Sequence, residues 1–263
     1  MSTGSITIVG TGIKSIGQLT LEAVDVIRAA EVVFYLVADP LTAQWIRDHN
    51  DKARSLEHHY ADAKRRIDSY RGMVDEVLES ARDGHVVGVA FYGHPGIFVY
   101  PSHEIVRRAR MERITACMLP GISADACLFA DLGVDPARAG CAGFEATDFL
   151  VHQRRFDPNV GLVLWQVGLI GDLTYRQEGY DPRANLDRLA RRLTTDYGEE
   201  HEVTLYEAAQ YPICGPRIER MPLSHLAEAG ATPISTLYIP PLASARADSK
   251  VMEQLGMKPE FIA

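Results

Sequence analysis

The sequence predicts an α/β protein of two domains, and three observations carry that expectation. Short β-branched runs alternate with segments of helical apolar spacing through the first half of the chain. After Leu132 the rhythm changes to several strand-like runs around one long helix. The 263 residues, 46% of them apolar, are enough to fill the interiors of two domains of ordinary size. A mainly parallel N-terminal sheet and a mixed C-terminal sheet are therefore expected.

Ile6 to Val9 reads as the first strand, and Gln18 to Ala30 as a helix, because Leu19, Ala23, Val26, Ile27 and Ala30 recur at helical spacing. Glu31 to Val37 completes a β-α-β opening. A long helix is expected from about Ala63 to Asp83. The run Val86 to Phe91 then reads as a buried strand stopping at the turn Tyr92-Gly93-His94-Pro95-Gly96. Ser102 to Met111 suits a helix, Ile114 to Met118 a strand, and Pro120-Gly121-Ile122-Ser123 a turn whose serine caps a helix over Ala124 to Leu132. Later strands are expected at Gly161 to Val167, Glu202 to Tyr206, Arg217 to Arg220 and Ser235 to Ile239, with a helix near Ala184 to Tyr197. The implied division is residues 1–119, residues 120–243, and a tail, 244–263, with one helix over Ser249 to Leu255.

Composition narrows the function. A net charge of −8 disfavours a protein that coats nucleic acid. The N-terminus has no basic, apolar leader and no run reaches bilayer length, so a soluble cytoplasmic protein without a membrane role is expected. Cys117, Cys127, Cys141 and Cys214 show no C-x-x-C spacing and read as buried free thiols. No metal is expected: His58 and His59 are sequence neighbours, which rarely point at one ion, and no H-E-x-x-H accompanies them.

Val9-Gly10-Thr11-Gly12 lies between a strand and a helix, where a dinucleotide fingerprint would sit. Its next glycine is Gly17, with Ser15 where the fingerprint wants glycine, and Glu31 opens the second strand instead of ending it. A tight turn facing another ligand is the better reading. No P-loop is present.

These glycine segments, Val9–Gly12, Tyr92–Gly96 and Pro120–Ala124, taken in order, resemble the tetrapyrrole methylase superfamily of S-adenosylmethionine-dependent methyltransferases. A narrower likeness extends nearly to Pro241. His59-Tyr60-Ala61-Asp62, Arg66-Ile67-Asp68-Ser69-Tyr70, Cys127 to Leu132, Phe144-Glu145-Ala146, Trp165-Gln166-Val167 and Ile234 to Pro241 resemble the borosin α-N-methyltransferases, which methylate backbone amides of a ribosomally made peptide. The resemblance implies a tetrapyrrole methylase-like fold with the cofactor, S-adenosyl-L-methionine, in an interdomain cleft and S-adenosyl-L-homocysteine as product. Many borosin enzymes carry their substrate on the same chain. Here only about twenty residues follow Pro241, among them Arg246, Asp248, Lys250, Glu253 and Lys258, so a split member acting on a separate precursor peptide is expected. The family further implies a homodimer, or a heterotetramer with two precursors, and no nucleic-acid partner.

An amide nitrogen is a poor nucleophile because its lone pair is delocalised into the carbonyl. Its proton must be loosened, its oxygen stabilised and the reacting atoms aligned. Arg66 and Tyr70 stand four apart in an expected helix and so share a face, where a guanidinium beside a phenol would favour the phenolate as base. Taken alone, the same residues fit a solvated helix charge and a half-buried core ring. The resemblance places Arg66, Tyr70 and Tyr92 on catalytic positions and Tyr60 in the substrate site; Glu57 stands where the family has a further tyrosine. It assigns the cofactor to Tyr92, His94, Ile97, Ser123, Ala124, Gln166, Ala208, Ser235 and Thr236, with His94 a hydrogen-bonding group instead of a base. Alternatives are a superfamily enzyme acting on a tetrapyrrole or RNA, and a non-catalytic, cofactor-binding peptide scaffold.

Overall fold

A computed structural model describes residues 4–243 and 247–257. Arg246 and Lys258 of the tail lie outside the described residues. The chain forms two compact units, the first running through Val134 and regaining Gly171–Asp181 and Tyr206–Ile218. Residues 120–134 and both returning segments group with the first unit, whereas the change of strand–helix rhythm along the sequence suggests a second domain beginning at Pro120.

The first unit holds a five-stranded sheet of β1 (Ser5–Gly10), β2 (Val32–Leu36), β3 (Ala53–Ser55), β4 (Val86–Phe91) and β5 (Thr115–Met118), ordered β3-β2-β4-β1-β5. Every pair is parallel. Alternate residues of a strand face opposite sides, and here both sides are covered. Ile6, Ile8, Phe34, Val87 and Val89 enter one core with α3 (Arg66–Arg82) and α4 (Tyr100–Met111). Val9, Val33, Tyr35 and Ala90 enter the other with α1 (Leu21–Ala29) and α2 (Pro40–His49). This is why β1, β2 and β4 are near-continuous apolar runs.

Helix α2 was not expected from periodicity, because only Thr42 and Ile46 are buried along it. Its start is set by a cap: the Asp39 carboxylate accepts from the Thr42 amide at 2.8 Å and from the Ser15 hydroxyl at 2.7 Å. Burial pushes the Asp39 carboxyl up, but the Thr42 and Ser15 hydrogen bonds outweigh it and hold it below the ordinary value. A lowered folded pKa stabilises above the unfolded value of about 4 and is lost as pH falls through the folded one. Asp39→Ala should therefore cost about 1 kcal/mol at neutral pH. In chemical denaturation at stepped pH the gap from wild type should narrow in acid; a pH-independent gap would contradict the charged cap.

The second unit comprises Asp135–Ile170, Pro182–Leu205 and the chain from Glu219 onward. The second sheet orders β6 (Cys141–Glu145), β7 (Gly161–Trp165), β8 (Glu202–Glu207), β9 (Arg217–Pro222) and β10 (Thr236–Ile239) as β6-β7-β10-β8-β9. β6 runs parallel to β7 and β10 antiparallel to it, so this sheet is mixed. Phe149 of α6 (Ala146–Val151) and Leu186, Leu189 and Leu193 of α7 (Arg183–Tyr197) join Leu162, Leu164, Leu205 and Leu237 in its core. Among the described residues no helix is long and apolar enough to cross a membrane.

The expectation of buried thiols does not hold. Cys117, Cys141 and Cys214 are exposed and Cys127 is half-buried. Cys117 and Cys141 lie on β5 and β6, the terminal strands of their sheets, where one edge is uncovered.

Candidate active site

In parallel sheets, ligands gather beyond the carboxyl ends of the strands, where the backbone can approach them closely. β1 and β4 end side by side there, Gly10 opposite Phe91. The two chains then stay bonded across Gly12 and Gly93, with amide-to-carbonyl distances of 3.2 and 2.9 Å. Gly12 (φ 75°) and Gly93 (φ 73°) occupy the left-handed region that favours glycine. A Cβ on Gly10 would lie 2.2 Å from the Gly93 carbonyl oxygen, and one on Gly121 would lie 3.1 Å from the Gly10 Cα. The three glycine segments therefore meet backbone to backbone.

Around this junction stand several of the expected cofactor residues. His94 accepts the Gly96 amide on Nδ1 at 2.9 Å, so its neutral ring carries the proton on Nε2 and presents a donor there. Ile97 follows, its amide donating to the His94 carbonyl at 3.3 Å. Ser123 is buried at the N-cap of α5 (Ala124–Leu132), yet its hydroxyl makes no capping bond. The expected capping role is thus absent. Ala124 opens that helix, and Ala208 follows β8.

Gln166, Ser235 and Thr236 belong to the second unit. Gln166 follows β7 in a left-handed conformation (φ 59°), which a non-glycine side chain adopts at a cost of the order seen at ligand sites. The next residue, Val167, donates its amide to the Ser235 carbonyl at 3.1 Å. Ser235 is fully buried and accepts the Thr232 amide at 2.8 Å, while Thr236 begins β10. β7 and β10 thus bring these three residues to one end of their sheet.

Beside β2 and β4 in the first unit lies a cavity of about 310 Å³ whose wall includes Glu57, Tyr60, Tyr70, Tyr92 and Tyr175. The Tyr60 ring stacks on Tyr175 at 4.5 Å and meets Tyr70 edge-on at 6.3 Å, and Tyr70 stacks on Tyr100 at 6.2 Å. Burial, and after it the charge and hydrogen bond of Tyr70, push the Tyr60 phenol far above its ordinary range, with the Arg66 cation opposing. Burial and the neighbouring Cys127 push Tyr92 up to about 12. Both remain protonated near neutrality.

Arg66 opens α3 but does not sit as expected. Among the described residues it donates to the Asp172 carbonyl at 3.0 Å and the Tyr180 hydroxyl at 3.2 Å, not to Tyr70. The 171–181 strap runs back along residues 63–66: Ala63 donates to the Tyr175 carbonyl, Tyr175 to that of Lys64, and Arg66 to that of Leu173. Arg66 thereby anchors the segment that lays Tyr175 on Tyr60. Burial raises the Asp172 carboxyl, but Thr174, Arg176 and Arg66 hold it below the ordinary range.

Tyr60, Tyr70 and Tyr92, expected together, do share one cavity. Tyr100, Tyr175 and Tyr180 escaped the sequence reading; the only available signal was two tyrosines, Tyr175 and Tyr180, in an otherwise polar, aperiodic stretch.

Comparison with known proteins agrees with this architecture. The chain is 41% identical over 261 residues to the methyltransferase/ribosomally synthesized cyclic peptide dendrothelin A precursor of Dendrothele bispora, covering 97% of this chain and 62% of the relative. It is 42% identical over 261 residues to the corresponding omphalotin A precursor of Omphalotus olearius, again covering 97% and 62%. With the type III borosin cyclic peptide precursor of Anomoporia bombycina the identity is 43% over 258 residues, 97% of this chain and 30% of that one. The chain thus spans less than two thirds of the length of each of these relatives, whose names join a methyltransferase and a peptide precursor. In three dimensions it is similar to the uroporphyrin-III-C-methyltransferase of Thermus thermophilus, with a TM-score of 0.64 at 18% identity, over 98% of this chain and 99% of that one. The family profile described as Tetrapyrrole (Corrin/Porphyrin) Methylases matches residues 5–227. With its parallel sheet, mixed sheet and glycine junction, the chain belongs to the tetrapyrrole (corrin/porphyrin) methylase family.

Proposed function

We propose that the chain is an S-adenosylmethionine-dependent methyltransferase that methylates backbone amide nitrogens of a ribosomally made peptide, one residue after another. The single observation behind the substrate choice is the phenol-lined cavity. Tetrapyrrole substrates and RNA are polyanions, whereas the described cavity wall carries Glu57 and tyrosines and neither lysine nor arginine. An uncharged peptide backbone suits such a wall.

The residues fit the cofactor. The Gly10–Gly93–Gly121 junction leaves backbone where a Cβ would otherwise stand, and Ser123 offers a hydroxyl its own helix does not use. Tyr92, His94, Ile97, Ser123, Ala124 and Ala208, with Gln166, Ser235 and Thr236, are assigned to holding it. When bound, S-adenosylmethionine supplies an electrophilic methyl carbon on a sulfonium.

Tyr60 keeps its proton, because burial and Tyr70 hold it there. It therefore donates to Tyr70, whose oxygen is the acceptor of the pair and is assigned as the general base that takes the amide proton. Tyr92, also protonated, is assigned as a donor to the amide oxygen as negative charge builds there. Arg66 is assigned a positioning role through the 171–181 strap, together with an electrostatic pull on the Tyr60 phenol.

The substrate is taken as a separate precursor chain and the enzyme as a homodimer working in the cytoplasm. Purified protein would be mixed with S-adenosylmethionine and the precursor segment of the dendrothelin A relative as a free peptide, with uroporphyrinogen III as competitor. Stepwise mass gains of one methylene, fragmenting to main-chain nitrogens, are expected. Methylation of the porphyrinogen and not the peptide would replace this proposal. Cofactor binding without any turnover would favour a scaffold.

A further inference from the structure

Outside the cavity, three metal-ligating side chains converge behind the turn that carries Glu57 and Tyr60. His58 and His59 stand on a 3₁₀ turn, Glu57–His59, and Glu76 on the facing side of α3. Neighbours in sequence usually point apart, but here the two imidazoles lie 4.2 Å apart, centre to centre, and reach one carboxylate oxygen. The His59 Nε2 is 2.7 Å from Glu76 Oε2 and the His58 Nε2 is 3.1 Å from the same atom. The ligand atoms of the three residues all lie within 4.8 Å of one another.

The backbone orients the His58 imidazole toward the same carboxylate. The His58 Nδ1 is 2.9 Å from the Ser55 carbonyl oxygen, which can only accept, so that nitrogen carries the hydrogen. Its Nε2 is thereby aimed at the Glu76 carboxylate. A backbone-bonded Nδ1 is how ligating histidines are usually oriented. Two ligands about 2.0–2.1 Å from a tetrahedral Zn²⁺ stand roughly 3.3 Å apart, so the His58–Glu76 spacing of 3.1 Å already suits one, while His59 at 2.7 Å must draw back from Glu76 by about 0.6 Å to admit it.

Helix α3 is also shaped for this arrangement. Gly72, one turn before Glu76, would with a Cβ come within 2.5 Å of the His59 Nδ1. A glycine inside a helix costs about 1 kcal/mol relative to alanine. Here it leaves room for the imidazole to lie on the helix with its Nε2 toward Glu76.

We propose that His58, His59 and Glu76 bind a divalent late transition-metal ion, of which Zn²⁺ is the probe, and that the ion pins the Glu57–Tyr60 turn to α3. Two imidazole nitrogens and one carboxylate oxygen favour such an ion over Mg²⁺ or Ca²⁺, which take oxygen ligands. The fourth position is open to solvent, since the His58 side chain is 59% exposed.

The test uses the full chain without a histidine tag, stripped with chelator and dialysed against Zn²⁺ at pH 8. One equivalent should be retained, and Tm should rise by on the order of 5 °C when free Zn²⁺ exceeds Kd about 100-fold. His58→Ala, at an exposed position that tolerates truncation, should weaken binding at least about 10-fold, as should Glu76→Gln. Gly72→Ala, which displaces the His59 ring without removing a ligand, should weaken it too. Replacing the exposed thiols (Cys117→Ser, Cys141→Ser and Cys214→Ser together) should leave zinc binding unchanged. The proposal is overturned if no zinc is retained, if His58→Ala and Glu76→Gln bind it as wild type does, or if the thiol replacement abolishes binding.

Discussion

Tyr70→Phe is expected to slow methyl transfer by about 10²–10⁴-fold, the range associated with losing a positioned general base, while cofactor affinity stays within about 2-fold. The expectation follows from what the substitution leaves behind. Phenylalanine keeps the ring that meets Tyr60 edge-on and stacks on Tyr100, so the wall of the cavity is preserved. What disappears is the one phenol oxygen that accepts from Tyr60 and lines the cavity. Tyr60, whose proton is held by burial, cannot take over as base, and neither can Tyr92 at about 12. Single-turnover mass spectrometry with a pre-formed cofactor complex, alongside calorimetry of cofactor binding, separates the two effects. Equal rates in variant and wild type would remove Tyr70 from the chemistry; equal losses of rate and cofactor affinity would make it structural.

How far these residues were legible in the sequence depends on where their environment comes from. β1, β2 and β4 could be read directly, because parallel strands covered on both faces must be apolar along their length. β3 and β6 could not: Ala-Arg-Ser and Cys-Ala-Gly-Phe-Glu are terminal strands with little buried surface. The helical spacing of Arg66 and Tyr70 was readable, but the partner of the guanidinium was not. It lies 106 residues away, on a strap with no periodic pattern, so only the tertiary fold reveals that Arg66 grips Asp172. The same holds for Tyr175, placed against Tyr60 by backbone bonds to residues 63–66. His58 and His59 are the sharpest case. Adjacency argued against a shared ligand, and a tight 3₁₀ turn with a missing side chain at Gly72 reversed that geometry.

Gly10→Ala should lower Tm by about 5 °C or more and weaken cofactor binding at least about 10-fold, whereas Gly17→Ala, seven residues on, should change neither appreciably. Both glycines sit in the stretch that superficially suggests a dinucleotide fingerprint, so sequence alone does not rank them. At Gly10 the added methyl would meet the Gly93 carbonyl oxygen at 2.2 Å and Pro95 Cδ at 2.8 Å. The first obstacle is backbone, and no rotamer change relieves it. β1 cannot shift to make room either, since it is paired with β4 on one side and β5 on the other. The strain must therefore pass into the Tyr92–Gly96 turn, which is bonded to Gly12 and carries Tyr92 and His94. At Gly17 the nearest atom is 3.6 Å away, and its φ is not positive. An added methyl there meets ordinary contact distance only. Thermal melts and calorimetric titration with S-adenosylmethionine on the two variants form a matched pair. If Gly10→Ala behaves like Gly17→Ala, the glycine junction is not what brings backbone to the cofactor, and the assignment of Tyr92, His94 and Ser123 to that site falls with it.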